Sequence, residues 1–374
     1  MRIGLDVSSA LAGNSGLRMY VEGLLGGLAA VDRDNEYFLF SAFWSRPERA
    51  AELKLPQSGN FHSAFKRFPQ RLLLPLDECG LGLQARWARA SGLDLFHGLG
   101  NMIPRLGAIP GVVTVHHVGA LSPQASAWDH FYLEFLTARS LGRARAVIAV
   151  SEYTRGEIIR HWRLDPAWVA TVLEGGPAAQ FRPRESARPP ARQRPFILHV
   201  GSFLEHKNIP TLIKAFHSLL TRAPDCVGEL VLAGRGTRDL PRIQGLIAEL
   251  GLGARVALLS EPSREEIVSL YQDAAAVVVP SLLEGFGFST LEAMACAAPV
   301  LVSRAGALPE IVGDAGLVFD PLDSEALSSG LQRVLTDAAL AADLRKRGLQ
   351  RVRRFTWEQT ARETIALYRK VLQR

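Results

Sequence analysis

At 374 residues, with 48% hydrophobic and 21% charged side chains, the chain has the length of two domains and the composition of an ordinary globular protein, which excludes disordered, collagenous and disulfide-scaffold classes. The net charge of +6 is concentrated: residues 181–195 carry five arginines against one acid, while 1–180 carry 18 basic against 16 acidic residues and 196–374 carry 20 of each. No domain-wide basic face results, so nucleic acid is not an expected partner. Cys79, Cys226 and Cys296 are odd in number, far apart and free of CxxC spacing, which argues against a disulfide framework and a zinc ribbon and fits a reducing cytoplasm.

No run approaches the ~18 apolar residues of a membrane helix, and the start MRIGLDVSSALAGNSG sets Asp6 inside its apolar stretch, so a secretory leader is not expected. Arg2 to Val7 reads as a strand, and Leu17, Tyr20, Val21, Leu24, Leu25 and Leu28 then share one helical face. Tyr37–Phe40, Leu93–Phe96, Val112–Val115, Ala146–Val150 and Val169–Leu173 read as further strands, several of them continuous apolar runs of the kind crossover helices bury on both faces. The segment 181–195, with four prolines and five arginines, reads as a linker outside any core. Beyond it the rhythm repeats: strands at Phe196–Val200, Leu230–Ala233, Val256–Leu259, Ala276–Val279 and Val300–Ser303, and helices at Ile209–Leu220, Leu240–Leu250, Arg264–Gln272 and Ser289–Ala297. The predicted architecture is therefore α/β, two tandem Rossmann-like βαβ domains: 1–180, the linker 181–195 and 196–354, followed by a last segment, 355–374, with a helix from Trp357. A cleft between the domains at the carboxyl ends of the strands is the expected site.

The most informative stretch is PSLLEGFGFSTLEAMACAAPVLVS, Pro280 to Ser303. A strand ends at Val279, a loop with Gly285 and Gly287 follows, and a helix begins near Ser289, a candidate N-cap. Close-approaching amides and a helix N-terminus make an anion site suited to a diphosphate. Glu284 and Glu292 would repel such a ligand, which assigns them to neutral hydroxyls of sugar and ribose. In HVGSFLEHKNIPTLIKAF, Lys207 lies in the loop after the domain's first strand and can reach a bound diphosphate. His116 and His117 sit just beyond a buried strand; alternation points adjacent strand residues to opposite faces, so one histidine faces the cleft.

These residues resemble the retaining GT-B glycosyltransferases of glycosyltransferase family 4, whose signature sets two glutamates with seven residues between them in an E-G-F-G-x-x-x-x-E frame, followed by G-x-x-P-E. Here the frame is Glu284, Gly285, Phe286, Gly287 and Glu292, then Gly306-Ala307-Leu308-Pro309-Glu310. The resemblance extends over AVIAVSEYTRGEI, LAGRG, GDAGLVFDP and FTWEQTA. It implies that Glu292 holds the donor's ribose hydroxyls, Glu284 approaches the transferred sugar, and the backbone at Gly287, Phe288 and Ser289 meets the diphosphate. Lys207 would stabilise the leaving nucleotide, with His206 where an arginine is usual, and His116 would contact the sugar near the reacting carbon. His117 stands where the family has an acid. Gly16 keeps one glycine of a loop in which Arg18 replaces the second, and Arg18 could meet an anionic acceptor. The resemblance also implies that the last helix crosses back to the N-terminal domain.

The implied reaction is retaining transfer of a hexose from a nucleotide diphosphate sugar, GDP-mannose first and UDP-hexoses next, to a glycan or lipid-linked acceptor in bacterial surface polysaccharide synthesis, with no metal or other cofactor. A sugar-nucleotide epimerase and a catalytically idle donor-binding subunit are the alternatives. NAD-dependent oxidoreduction is disfavoured because Gly13 and Gly16 make a poor GxGxxG. The aromatic and basic segment from Phe61 to Leu74, with Lys66, Arg67 and Arg71, reads either as a loop with a packed strand or as a peripheral contact with the cytoplasmic face of the inner membrane.

Overall fold

Buried apolar strands alternating with helices form two all-parallel sheets in the computed structural model, which describes residues 1–11, 15–43, 53–68, 70–118, 131–184 and 194–373. The chain divides into two units, Met1–Gly175 with Phe355–Arg374, and Gly176–Arg354. The first holds β1 (Arg2–Asp6), β2 (Glu36–Phe43), β3 (Phe61–Arg67), β4 (Leu95–Gly98), β5 (Gly111–Val115), β6 (Ala146–Ala149) and β7 (Val169–Thr171), in the order β3-β2-β1-β4-β5-β6-β7. The second holds β8 (Phe196–Val200), β9 (Glu229–Gly234), β10 (Val256–Ser260), β11 (Ala276–Val279), β12 (Val300–Ser303) and β13 (Gly316–Phe319), in the order β10-β9-β8-β11-β12-β13. In each sheet the chain winds outward to one side, returns, and winds to the other. The reversals fall between β1 and β4, and between β8 and β11, and it is outside such reversals that α/β sheets open a ligand crevice.

The strand cores explain the continuous apolar runs. All four residues of β11 and of β12 are buried, as is all of β5, because helices cover both faces. The helix Ile209–Arg222 sets Ile209, Leu212, Ile213, Phe216 and Leu219 into the second unit's core beside Leu230, Leu232 and Val278. At ~1.5–3 kcal/mol for each large apolar side chain buried, such a stripe outweighs the helix's modest intrinsic propensity.

The last helix, Trp357–Leu372, begins behind a Thr356 cap on the Gln359 N–H and belongs to the first unit. Ala361, Ile365, Tyr368 and Val371 join the cluster of Leu24, Leu25 and Leu28 from the helix Ser15–Val31. Trp357 lies so close that a Cβ on Gly23 would fall 2.1 Å from its ring. Tyr368 also carries a buried polar chain into this core: its hydroxyl meets His97 Nδ1 at 2.6 Å, His97 Nε2 meets Thr114 Oγ1 at 2.8 Å, and Thr114 meets the Tyr20 hydroxyl at 3.0 Å. Burial holds His97 neutral, pushing it down to about 3.

Two expectations are corrected here. The segment 181–195 does contribute to a core at its start: Phe181 is buried, its ring centroid 6.1 Å from that of Tyr271. Gln272 Nε2 donates to the Arg182 carbonyl, and Arg184 pairs with Asp273 at 2.6 Å. A single aromatic with two anchored arginines is enough to seat those residues despite the prolines; residues 185–193 lie outside the described ones. The segment from Phe61 does begin with the expected strand, β3 on the edge of the sheet, but the helix Gln70–Glu78 follows it where a loop was expected; the side chains of Arg67 and Arg71 lie outside the described ones.

Candidate functional site

The second unit gathers its chemistry at the reversal between β8 and β11. The loop after β8 tightens into one turn, Glu205–Lys207, and Asn208, at φ 53°, opens the helix Ile209–Arg222. The Asn208 amide donates to the Pro280 carbonyl at 3.1 Å and the Pro321 carbonyl at 2.7 Å, which ties this loop to the one after β11. Lys207 Nζ is thereby held 2.5 Å from Glu284 Oε1, and Ser281 Oγ donates to the same carboxylate oxygen at 2.9 Å. Both partners are largely shielded, at 19% and 15% exposure. Burial alone would raise the Glu284 carboxyl, but the Lys207 charge, its hydrogen bond and Ser281 together hold it below its ordinary value. The Glu284 side of the pair is thus held as the carboxylate. His206 beside it is lowered by desolvation and then by the Lys207 charge, which disfavours its protonated form.

Glycines set the Glu284 loop. Gly306, at φ 60°, packs so tightly that a Cβ would fall 2.2 Å from the Glu284 carbonyl oxygen, which accepts from the Ala307 N–H at 2.9 Å. The Gly306-to-Glu310 segment is therefore a buttress under the first glutamate. Gly287, at φ 111°, caps the helix Phe288–Ala295 without a side-chain bond. This corrects the expectation that Ser289 caps the helix: Ser289 lies inside its first turn, and a side chain at Gly287 would collide with Leu308. Phe286 is buried, its ring in edge contact with Phe288 at 5.4 Å, so Phe286 anchors the loop while the backbone around Gly285 and Gly287 borders the site.

Glu292, one turn further on, accepts from the Tyr271 hydroxyl at 3.3 Å. Desolvation pushes its carboxyl up to about 7, against the opposing charge of Arg264 and the Tyr271 bond. The guanidinium of Arg264 stacks over Phe181 at 5.5 Å. The two glutamates thus differ physically: Glu284 is a paired anion, and Glu292 is poised near neutrality with one neutral donor. Tyr271, Ser281 and Arg264 were not singled out by the sequence; only the chain's path brings them here.

In the first unit β5 ends at Val115, so His116 and His117 lie beyond the strand and strand alternation does not govern them. The outcome is one shielded and one exposed histidine. His116 Nδ1 meets Glu174 Oε1 at 2.9 Å and Nε2 meets the Leu99 carbonyl at 2.8 Å, while its backbone N–H donates to Asn101. A carbonyl only accepts, so Nε2 carries a proton. Burial raises the Glu174 carboxyl and the His116 contact opposes that. The Tyr20 ring packs edge-on against His116 at 4.5 Å. A ring contact from Nε2 to a sugar would replace the Leu99 bond. Gly16 sits in the first turn of Ser15–Val31, Arg18 in the same helix pairs with Glu22 at 2.8 Å, and Gly13 and Asn14 lie outside the described residues.

Two family models divide the chain between them: Glycosyltransferase Family 4 over residues 14–175 and Glycosyl transferases group 1 over 182–351. The chain is also 32% identical to the O-antigen chain mannosyltransferase B of Escherichia coli over 76% of each sequence. The chain belongs to glycosyltransferase family 4. The chain is likewise similar to the MMP alpha-(1->4)-mannosyltransferase of Mycolicibacterium hassiacum, 31% identical over 71% of this chain and 66% of that one. Among solved structures, sucrose-phosphate synthase from Thermosynechococcus elongatus superposes with a TM-score of 0.77 at 25% identity, covering 100% of this chain and 99% of that one. HepE from Anabaena, in complex with UDP-glucose, does so at 0.75 and 18% identity over 99% and 100%, a likeness of fold. The fold is GT-B, and the protein is a glycosyltransferase.

Proposed function

We propose that this family 4 enzyme is a retaining hexosyltransferase that takes its sugar from a nucleotide diphosphate donor, GDP-mannose first, and delivers it to a hydroxyl of a bacterial surface glycan or its lipid-linked precursor. The observation that carries this reading is the Lys207–Glu284 pair, fixed at 2.5 Å beside the Gly287 turn. The diphosphate seats on the amides at the start of the helix Phe288–Ala295, where the positive end of the helix dipole favours anions. Glu292 accepts from the ribose hydroxyls and Glu284 from the sugar. As the bond from the anomeric carbon to the diphosphate breaks, negative charge grows on the leaving oxygen, and Lys207 with the helix N-terminus meets it. The acceptor oxygen bonds to the same face of the sugar, and its proton passes to the departing phosphate. Mannose is favoured over glucose by the similarity to two mannosyltransferases; the UDP-glucose complex of the more distant HepE supports UDP-hexoses as the second choice. The geometry calls on protein groups for the diphosphate charge, so we propose transfer without a metal, and His116, shaped by Glu174, for the sugar side.

No described helix is long and apolar enough to cross a membrane. Exposed Leu72, Leu81 and Phe135, with Arg139 stacked on Phe135 at 4.4 Å, support a peripheral contact with the cytoplasmic membrane face, where a lipid-linked acceptor would be met. The deciding experiment is a thermal-shift panel of nucleotide sugars, followed by nucleotide release with and without added glycan in the presence of EDTA. Stabilisation by GDP-mannose and acceptor-dependent GDP release support the reading. Epimerised donor without acceptor, or no response to any nucleotide sugar, contradicts it.

A further inference from the structure

The candidate site contains a buried imidazole with an unused nitrogen. His199 lies on β8, two residues before the loop that carries Lys207, and is 1% exposed. Its Nδ1 is 3.0 Å from the Val278 carbonyl on β11. Because that oxygen only accepts, Nδ1 carries the ring proton and Nε2 presents a bare lone pair. Burial pushes the ring down to about 4, with the Lys207 charge adding to the effect, so the neutral form prevails at working pH. Yet Nε2 is buried and no described group hydrogen-bonds to it. A buried acceptor left unmade is costly, and such an atom inside a well-packed core calls for a partner.

The direction of Nε2 identifies that partner. A Cβ built on Gly201 would lie 3.2 Å from His199 Nε2 and 3.9 Å from Lys207 Cε. The imidazole nitrogen and the lysine stem therefore border one small space, kept open by the absence of a side chain at Gly201. The Lys207 ammonium has three protons, of which one is directed at Glu284. Under the proposed function, Glu284 must turn to a sugar hydroxyl, and Lys207 would then lose its fixed acceptor at the moment its aim matters.

We propose that His199 is a positioning residue for Lys207: its Nε2 accepts from the Lys207 ammonium, directly or through one water, when Glu284 engages the donor, and so keeps the ammonium aimed at the leaving diphosphate. This rests on the assignment of Lys207 to the diphosphate. The role needs an acceptor at the Nε2 position and a donor towards Val278, and the two can be separated by substitution. His199→Asn keeps an amide donor near Nδ1 but does not reach Nε2; His199→Gln carries an acceptor to that distance; His199→Phe removes both.

The test measures nucleoside diphosphate release from GDP-mannose and from UDP-glucose by the full chain and its variants, with GDP and UDP affinities by calorimetry. His199→Asn is expected to lower turnover about tenfold with donor KM and melting temperature little changed, and His199→Gln to restore most of it, since misorienting a charged group costs rate rather than binding. In a Lys207→Ala background the His199→Asn change is expected to add nothing, because His199 acts only through the ammonium. If His199→Asn and His199→Phe turn over at the wild-type rate while Lys207→Ala is impaired, the inference falls and the site stands. If all His199 variants lose rate equally, or their loss adds to that of Lys207→Ala, the histidine is structural and the inference also falls. If Lys207→Ala is itself unimpaired, or neither donor is turned over, the proposed function falls and takes this inference with it.

Discussion

Glu292→Gln should stabilise the protein at neutral and alkaline pH while weakening its hold on nucleotide. Desolvation raises the Glu292 carboxyl from the ordinary 4.5 to about 7 in the folded chain. Between those values the folded state keeps a proton that the unfolded chain has released, so the contribution is fully present below about 4.5 and is lost as pH rises through about 7. At ~1.4 kcal/mol per pH unit the interval corresponds to ~3 kcal/mol, and solvent reaching the partly exposed carboxylate trims this to ~2 kcal/mol. A glutamine keeps an acceptor for the Tyr271 hydroxyl and never becomes charged. Denaturation curves of wild type and Glu292→Gln should therefore coincide near pH 4.5 and separate towards pH 8, with the variant melting roughly 4–8 °C higher for a domain of this size. Calorimetry at pH 8 should show affinity for GDP or UDP lower by about 10- to 100-fold, the loss of a charged acceptor for the ribose. Parallel pH profiles for the two proteins, or a variant that binds nucleotide as well as wild type, would refute the reasoning.

Other consequences can be tested alongside. Lys207→Ala should cut turnover by at least about 100-fold while changing donor affinity far less, since its charge is needed most when the diphosphate departs; steady-state kinetics with separate KM and kcat check this. Gly306→Ala would drive a methyl group into the Glu284 carbonyl at a positive φ, and should cost ~1–3 kcal/mol of stability together with loss of transfer, as read by chemical denaturation and activity. Tyr368→Phe leaves His97 Nδ1 without its partner, and should destabilise the first unit by ~1–3 kcal/mol with nucleotide binding in the second unit unchanged.

The parts of the fold that were legible are those where local pattern and burial agree. β8, β11 and β12 are uninterrupted apolar runs because helices bury both faces, and their bounds follow from sequence directly. β13 (Gly316–Phe319) escaped prediction because it is short and only half-buried at the edge of its sheet, and β3 was expected only as a packed strand without bounds because the histidine, serine and lysine along it break the apolar pattern. The helices Ser324–Thr336 and Ala338–Val352 pass between recognisable motifs without chemistry to draw the eye. At the site, residue identities were legible and pairings were not. Glu284 and Lys207 are 77 positions apart, and only the tying of their two loops by Asn208 makes them an ion pair. Likewise Tyr271 and Glu292 meet because the helix Arg264–Asp273 packs against Phe288–Ala295, and Glu174 meets His116 because both follow the carboxyl ends of strands, β7 and β5, in one parallel sheet.

The measurement that bears most directly on the whole account is a crystal structure of the protein with GDP or UDP bound. The account predicts diphosphate oxygens on the amides of Gly287, Phe288 and Ser289, ribose hydroxyls on Glu292, and Lys207 turned from Glu284 towards the terminal phosphate. A nucleotide seated away from the Gly287 turn, or one whose phosphates leave the Lys207–Glu284 pair undisturbed, would contradict it.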